Sequence, residues 1–226
     1  MGKIKKAAGM FVMTLTLVFA GTFFTPRADM ACVQAAKPSV SRILKLYKQK
    51  KYKQAQAMAN KLPANANEKC VGSMSKKMKK AYRKKVKSFD KKVNWTSSKP
   101  YMWDYYLTDI NKDKKPELLI VYGSCEADVQ VRVYTYKNGK AVLAGKTYCT
   151  HSSLYAYPGG NGFVMMAGHM LGESVYKVTL KNGKLKTTRC GSRIIGETEE
   201  YLRLPYALKG HVHWTESGRY FDYDDF

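Results

Sequence analysis

Between residues 40 and 89, apolar side chains recur at every third or fourth position. Val40, Ile43, Leu44 and Tyr47 follow Pro38 and Ser39, and Tyr52, Ala55, Ala59 and Leu62 repeat the pattern up to Pro63. A third stripe is Val71, Met74, Met78, Tyr82, Val86 and Phe89. This period puts each set on one face of a helix. It predicts two helices before Pro63 and a third from Asn67 to about Lys91.

From Tyr101 the period changes to two, and aromatic and β-branched residues dominate. Strands are predicted over 102–108, 116–122, 128–136, 141–149, 153–157, 162–168, 173–180 and 184–190. Asn138-Gly139 and Asn182-Gly183 separate alternating runs, the strongest short-range signal for a two-residue hairpin. Pro158-Gly159-Gly160-Asn161-Gly162 marks another turn. The two Lys-Asn-Gly-Lys turns form a weak internal repeat, with Gly139 and Gly183 spaced much like one propeller blade. Eight strands are too few for a propeller, whose blades take four each. The expected fold is α+β. A helical segment of two or three helices precedes an antiparallel β-meander that curls into a sandwich or incomplete barrel, with the helices on one side or end.

The first residues add a leader. Lys3, Lys5 and Lys6 precede an uncharged run from Met10 to Phe24, shorter than the roughly 20 residues of a spanning helix. Basic start, apolar middle and the small residues near Ala31 and Ala35 read as a secretory signal, cut after one of those alanines. Asp29 stands where a lipoprotein signal before Cys32 needs an apolar residue. The expected segments are 1–35, a signal peptide; 36–94, a basic helical segment; and 95–226, a β-domain with a C-terminal tail. The expected location is secreted or attached to the cell envelope. Removing Cys32 leaves Cys70, Cys125, Cys149 and Cys190, enough for two disulfides. Cys125 with Cys149 is the favoured pair, because both end predicted strands of one meander. No spacing is a CxxC, which argues against structural zinc.

Charge divides the chain. The net charge is +23, and residues 37–99 hold 20 Lys and Arg against Glu68 and Asp90. Residues 100–226 hold 16 Lys and Arg against 14 acids. Lys76, Lys77, Lys79, Lys80, Arg83, Lys84, Lys85 and Lys87 crowd the third predicted helix. They are either a solvated outer face or a surface for a polyanion, bound with strong salt dependence. Such a helix could also lie on a membrane.

One loop carries ion chemistry. Asp109, Asn111, Asp113 and Glu117 fall at positions 1, 3, 5 and 9 of Asp-Ile-Asn-Lys-Asp-Lys-Lys-Pro-Glu. Alternate side chains of a tight loop can turn inward to a hard cation such as Ca²⁺. The segment resembles the calcium loops of integrin-type FG-GAP repeats. That resemblance implies ligation by Asp109, Asn111, Asp113 and Glu117, with Lys115 giving its carbonyl. Lys114 stands where that family has Gly, and three lysines oppose a divalent cation. A calcium loop and an ion-free Asp/Asn turn are both open at this point. Leader, basic helices and meander together resemble exported proteins of gut Firmicutes, and this second resemblance implies no activity. For an exported Gram-positive protein the nearest polyanions are teichoic acids and anionic lipid headgroups, and nucleic acid is an unlikely partner. Leu46, Tyr47, Tyr52, Ala55 and Ala59 resemble one helical hairpin of the tetratricopeptide kind, where arrays need about three.

Catalytic signals are sparse. His211-Val212-His213 could give two metal ligands but no third is near in sequence; the other histidines are His151 and His169. Ser73-Met74-Ser75-Lys76 matches the S-x-x-K of penicillin-binding enzymes without its partner motifs. Glu126, Asp128 and Glu173 could supply paired acids for glycan hydrolysis. Tyr is abundant and, with Trp95, Trp103 and Trp214, could stack on sugars or simply fill the core. The expectation is an exported, non-enzymatic binding protein of the cell envelope. The alternative is an envelope glycan hydrolase acting through β-domain carboxylates.

Overall fold

The structure, a computed structural model, describes residues 37–64, 73–89, 99–196, 199–215 and 218–221. The expected signal peptide of 1–35, with Cys32, and Cys70 and Trp95 lie outside them. Among the described residues no helix is long and apolar enough to cross a membrane.

Three helices form where the period of three to four predicts them. Helix α1 (Val40–Lys48) starts at Ser39, whose hydroxyl accepts Arg42 N–H at 3.3 Å. Lys50, with φ 59°, turns the chain into α2 (Tyr52–Ala59). The rings of Tyr47 and Tyr52 meet edge-on at 5.0 Å across this helical hairpin. Helix α3 (Lys76–Phe89) starts later than Asn67. Ser75 caps it by accepting Met78 N–H at 3.3 Å, while Ser73 N–H leaves the helix direction to bond Lys114 O at 2.9 Å.

All eight predicted strands are present. They are β1 (Tyr101–Thr108), β2 (Glu117–Gly123), β3 (Gln130–Lys137), β4 (Lys140–Tyr148), β5 (Ser152–Ala156), β6 (Phe163–His169), β7 (Gly172–Lys181) and β8 (Lys184–Ile194). A pair the strand pattern missed, β9 (Val212–Thr215) and β10 (Gly218–Phe221), lies in the expected tail. The eight make two four-stranded antiparallel meanders in sequence order, β1 to β4 and β5 to β8, and neither closes into a barrel. Polarity sets the order within each. β2 and β6 are apolar on both faces and lie inside; the polar β8 and β4, which leaves Val142, Leu143 and Tyr148 exposed, lie at the edges.

The repeat is structural as well as verbal. Asn138-Gly139 and Asn182-Gly183 form the last hairpin of each sheet, with φ of 50° and 76° in one and 52° and 71° in the other. Each last strand also carries a register shift next to a glycine, Gly145 opposite Val133 and Gly191 opposite Val175. A Cβ on Gly191 would stand 2.9 Å from the Tyr47 ring, so the glycine lets α1 approach the sheet.

Two such sheets cannot close a ring, so their outer faces need other cover. Leu119, Val131, Val133, Phe163, Met165 and Val178 fill the space between the sheets. The outward Leu118, Ile120 and Tyr134 pack under Met78, Tyr82 and Val86 of α3. Val164, Met166 and Val175 pack under Val40, Ile43, Tyr47 and Ala55 of the helical hairpin. The order of layers is therefore helical hairpin, sheet, sheet, helix. Residues Lys37–Phe226 form one compact unit.

Meander topology gives the sheets two unlike ends. The β1–β2 loop, the β5–β6 turn and both Lys-Asn-Gly-Lys hairpins share one end, stitched by Gly162 N–H to Ile110 O at 2.8 Å. The β2–β3 and β6–β7 turns and the β4–β5 connection lie at the other.

Candidate polyanion-binding surface

Helix α3 is seated by three fully buried side chains, Met78, Tyr82 and Val86. Burying each is worth about 1.5–3 kcal/mol. Tyr82 also donates its hydroxyl to Pro116 O at 2.9 Å, and Tyr134 O lies 3.3 Å away. Burial raises its phenol well above the ordinary range, so it stays a neutral donor. With one face held inside, the polar face turns outward. Lys76, Lys77, Lys80, Arg83, Lys84 and Lys87 are exposed, and Lys79 and Lys85 are half-buried. Lys85 Nζ lies 5.2 Å above the Tyr134 ring. No acid occurs on the helix.

The Asp109–Glu117 loop meets the start of α3. Asp109 Oδ1 accepts from Lys112 and Asp113 N–H, and its Oδ2 from Lys114 N–H at 2.9 Å. Glu117 Oε2 accepts from Ile110 N–H at 2.8 Å, and Oε1 from Asn111 Nδ2 at 2.9 Å. Asn111 Oδ1 accepts from Asp113 N–H, and Asp113 Oδ1 from Lys115 N–H. Lys114 adopts φ 68°, the conformation Gly supplies in the resembled family. Lys112 Nζ reaches Asp109 O at 2.6 Å, placing a cation of the chain's own inside the loop. Among the described residues no three His, Cys, Asp or Glu side chains converge on a point where a metal ion could sit. As arranged, the loop closes on its own donors, backbone N–H groups and the Lys112 ammonium. Burial first, then Asp113 and Asp109, pushes the Glu117 carboxyl up to about 7.

The three carboxylates considered for hydrolysis have separate tasks. Asp128 accepts Ser124 and Cys125 N–H and the Ser124 hydroxyl, closing the β2–β3 turn, and these bonds hold its carboxyl below the usual range. Glu126 pairs with His151 Nδ1 at 3.0 Å, and the His151 and His169 rings stack at 4.1 Å. Glu173 is buried against Tyr47 Oη at 2.6 Å, Arg193 Nε at 3.0 Å and Leu202 N–H. Glu126 lines a cavity of about 370 Å³ with Trp103, Asp104, Tyr106 and His151, which the sequence pattern did not reveal. Glu173 lines a different cavity, of about 280 Å³. Asp104 in the first is engaged by Tyr105 and His211 N–H at 2.7 and 2.8 Å.

His211 is buried and stacks on Tyr105 at 4.8 Å, a packing role. Cys125, Cys149 and Cys190 are free, so the expected Cys125–Cys149 bridge is not formed in the structure. Cys149 lies in the core between the sheets, where burial pushes its thiol up to about 12, while Cys125 is exposed in the β2–β3 turn. The two cysteines follow β2 and β4 of one meander, and β3 lies between those strands. The N–H and the hydroxyl of Ser73 both face Lys114 O, at 2.9 and 3.5 Å.

No protein-family model, curated protein or solved structure matches the chain.

Proposed function

We propose that this chain is an exported, non-enzymatic binding protein of the cell envelope, whose α3 lysine face contacts an anionic wall polymer or membrane surface. The observation that carries the reading is the seating of α3. Its only buried face is apolar, and eight basic side chains occupy the rest without an acid among them. Such a face draws phosphate-type polymers by releasing their counterions. The basic, then apolar leader pattern supports export. The separate engagement of Asp128, Glu126 and Glu173 favours binding over hydrolysis. The reading requires no metal ion.

Retention on an anionic polymer or on phosphatidylglycerol vesicles tests it. Wild-type protein should bind at low salt and elute by about 0.5 M, as counterion release dictates. The combined Lys79→Gln, Lys80→Gln, Lys84→Gln and Lys85→Gln variant should bind at least ten-fold more weakly. Retention that ignores salt, or survives in this variant, overturns the proposal.

A further inference from the structure

We propose that the anion-binding surface continues from α3 onto the loop end of the two sheets, and that its partner is a flexible linear polyanion with repeating phosphate-type charges. The proposal rests on the reading of α3 as an anion contact and goes beyond it in naming the second surface and the shape of the ligand.

Lysines spaced far apart in the chain meet at this end. The β1–β2 loop exposes Lys114 and Lys115, while the Lys112 ammonium is held by Asp109 O. The hairpins expose Lys137 and Lys140 on one sheet and Lys181 and Lys184 on the other. A cavity of about 260 Å³ is lined by Lys115 of the loop, Lys137 of one hairpin, Asn182-Gly183 of the other and Met78 of α3. Three turns and the start of the helix therefore share one rim. Of the acids here, Asp109 and Glu117 are buried and hold the chain's own N–H groups, and Asp113 alone of the loop acids is exposed.

The hairpins carry a second, independent sign. Lys137 pairs directly with Lys140, and Lys181 with Lys184. Like charges opposite each other destabilise a strand pair. Two turns of the same backbone conformation repeat this unfavourable pair, and an anionic group held between the two ammonium groups would turn the repulsion into attraction.

Orientation selects the ligand. Helix α3 covers an outer sheet face, so its lysines look outward along the sheet normal. The hairpin tips look along the strands, roughly at right angles. A flat bilayer meets one surface or the other, whereas a flexible chain bends from helix to tips.

The test compares three probes, long-chain polyphosphate, tripolyphosphate and phosphatidylglycerol vesicles, with three proteins. These are the wild type, the helix variant described above, and a hairpin variant with Lys137→Gln, Lys140→Gln, Lys181→Gln and Lys184→Gln. The hairpin variant should bind long polyphosphate at least ten-fold more weakly, with a log–log salt slope shallower by roughly 3, at about 0.7–0.9 per lost contact. Its vesicle binding should match the wild type. Tripolyphosphate, too short to reach both surfaces, should not tell wild type from either variant by more than the loss at one surface. The hairpin variant loses two like-charge pairs, so its Tm should hold or rise, which separates lost contacts from lost folding. Unchanged affinity and slope for long polyphosphate in the hairpin variant overturn the extension, and the helix variant's loss then still supports the α3 reading. Equal loss on vesicles and polyphosphate overturns the choice of a linear partner. Failure of both variants to alter binding overturns both proposals.

Discussion

Glu117 lies almost fully inside the molecule, at 3% exposure, with Asp113 and Asp109 on the same loop. Two donors, Ile110 N–H and Asn111 Nδ2, hold its carboxyl in place. Burial and the two neighbouring anions nonetheless raise its pKa from 4.5 to about 7. A carboxyl whose folded pKa exceeds its unfolded one binds its proton more tightly when folded. Its stabilising contribution is complete below about 4.5 and is lost as pH rises towards 7. That window is worth roughly 3 kcal/mol at the usual 1.36 kcal/mol per unit. Glu117→Gln removes the charge and keeps the shape, so the variant should gain on the wild type steadily between those two pH values. Paired thermal melts across the range check this. A Tm difference that stays constant with pH would show that Glu117 does not titrate there. Asp109-Asn111-Asp113 was visible in the sequence as an inward-turning loop. Which donors the oxygens would meet was not, because Lys112 folding back onto Asp109 O depends on the φ of 66° at its own backbone.

The hairpins argue at the scale of elements. Among the described residues, three two-residue turns link antiparallel strands, and two of them use Asn-Gly, which takes the left-handed conformation cheaply. The third, Met170-Leu171 between β6 and β7, adopts φ of 45° and 62° with ordinary side chains. Met170 is 84% exposed and Leu171 53%, so neither regains the cost by burial. Left-handed backbone costs a side-chain-bearing residue roughly 1–2 kcal/mol. Met170→Asn with Leu171→Gly should therefore raise the urea midpoint, by about 1–2 kcal/mol in unfolding free energy. A lower midpoint would mean that these side chains pack in solution. Strand positions were legible because alternation and Asn-Gly are local signals. The Met-Leu turn was predicted as a gap between strands without its strain, since nothing in Met or Leu announces a left-handed turn. The start of α3 was overextended for a related reason. The apolar stripe runs back to Val71, but Ser75 caps the helix and Ser73 bonds the neighbouring loop.

At the scale of the molecule, composition divides the chain near Pro100, yet the fold joins the two parts. Helices α1 and α2 cover one sheet and α3 the other, so neither sheet has an outer core without them. Glu173 ties the parts further, gathering Tyr47 of α1, Arg193 of β8 and Leu202 N–H at one buried carboxylate. Residues Lys37–Phe226 should therefore unfold in one calorimetric transition, with van't Hoff and calorimetric enthalpies equal. Glu173→Gln should lower that single Tm and leave one transition. A separate early transition for the helical segment would show that its contacts with the sheets are weak.

By itself the chain of residues determined the helices, the eight strands, the two Asn-Gly hairpins and the lysine face of α3. Each follows from side-chain period or from backbone preference over a few neighbours. Tertiary structure alone decided that the repeat stacks as two sheets, that helices seal both outer faces, and that Asp128, Glu126 and Glu173 each take different partners. It also decided that lysines from three turns and a helix share one end. Those outcomes depend on contacts between residues far apart in sequence, where burial and charge act through space and leave no local pattern to read.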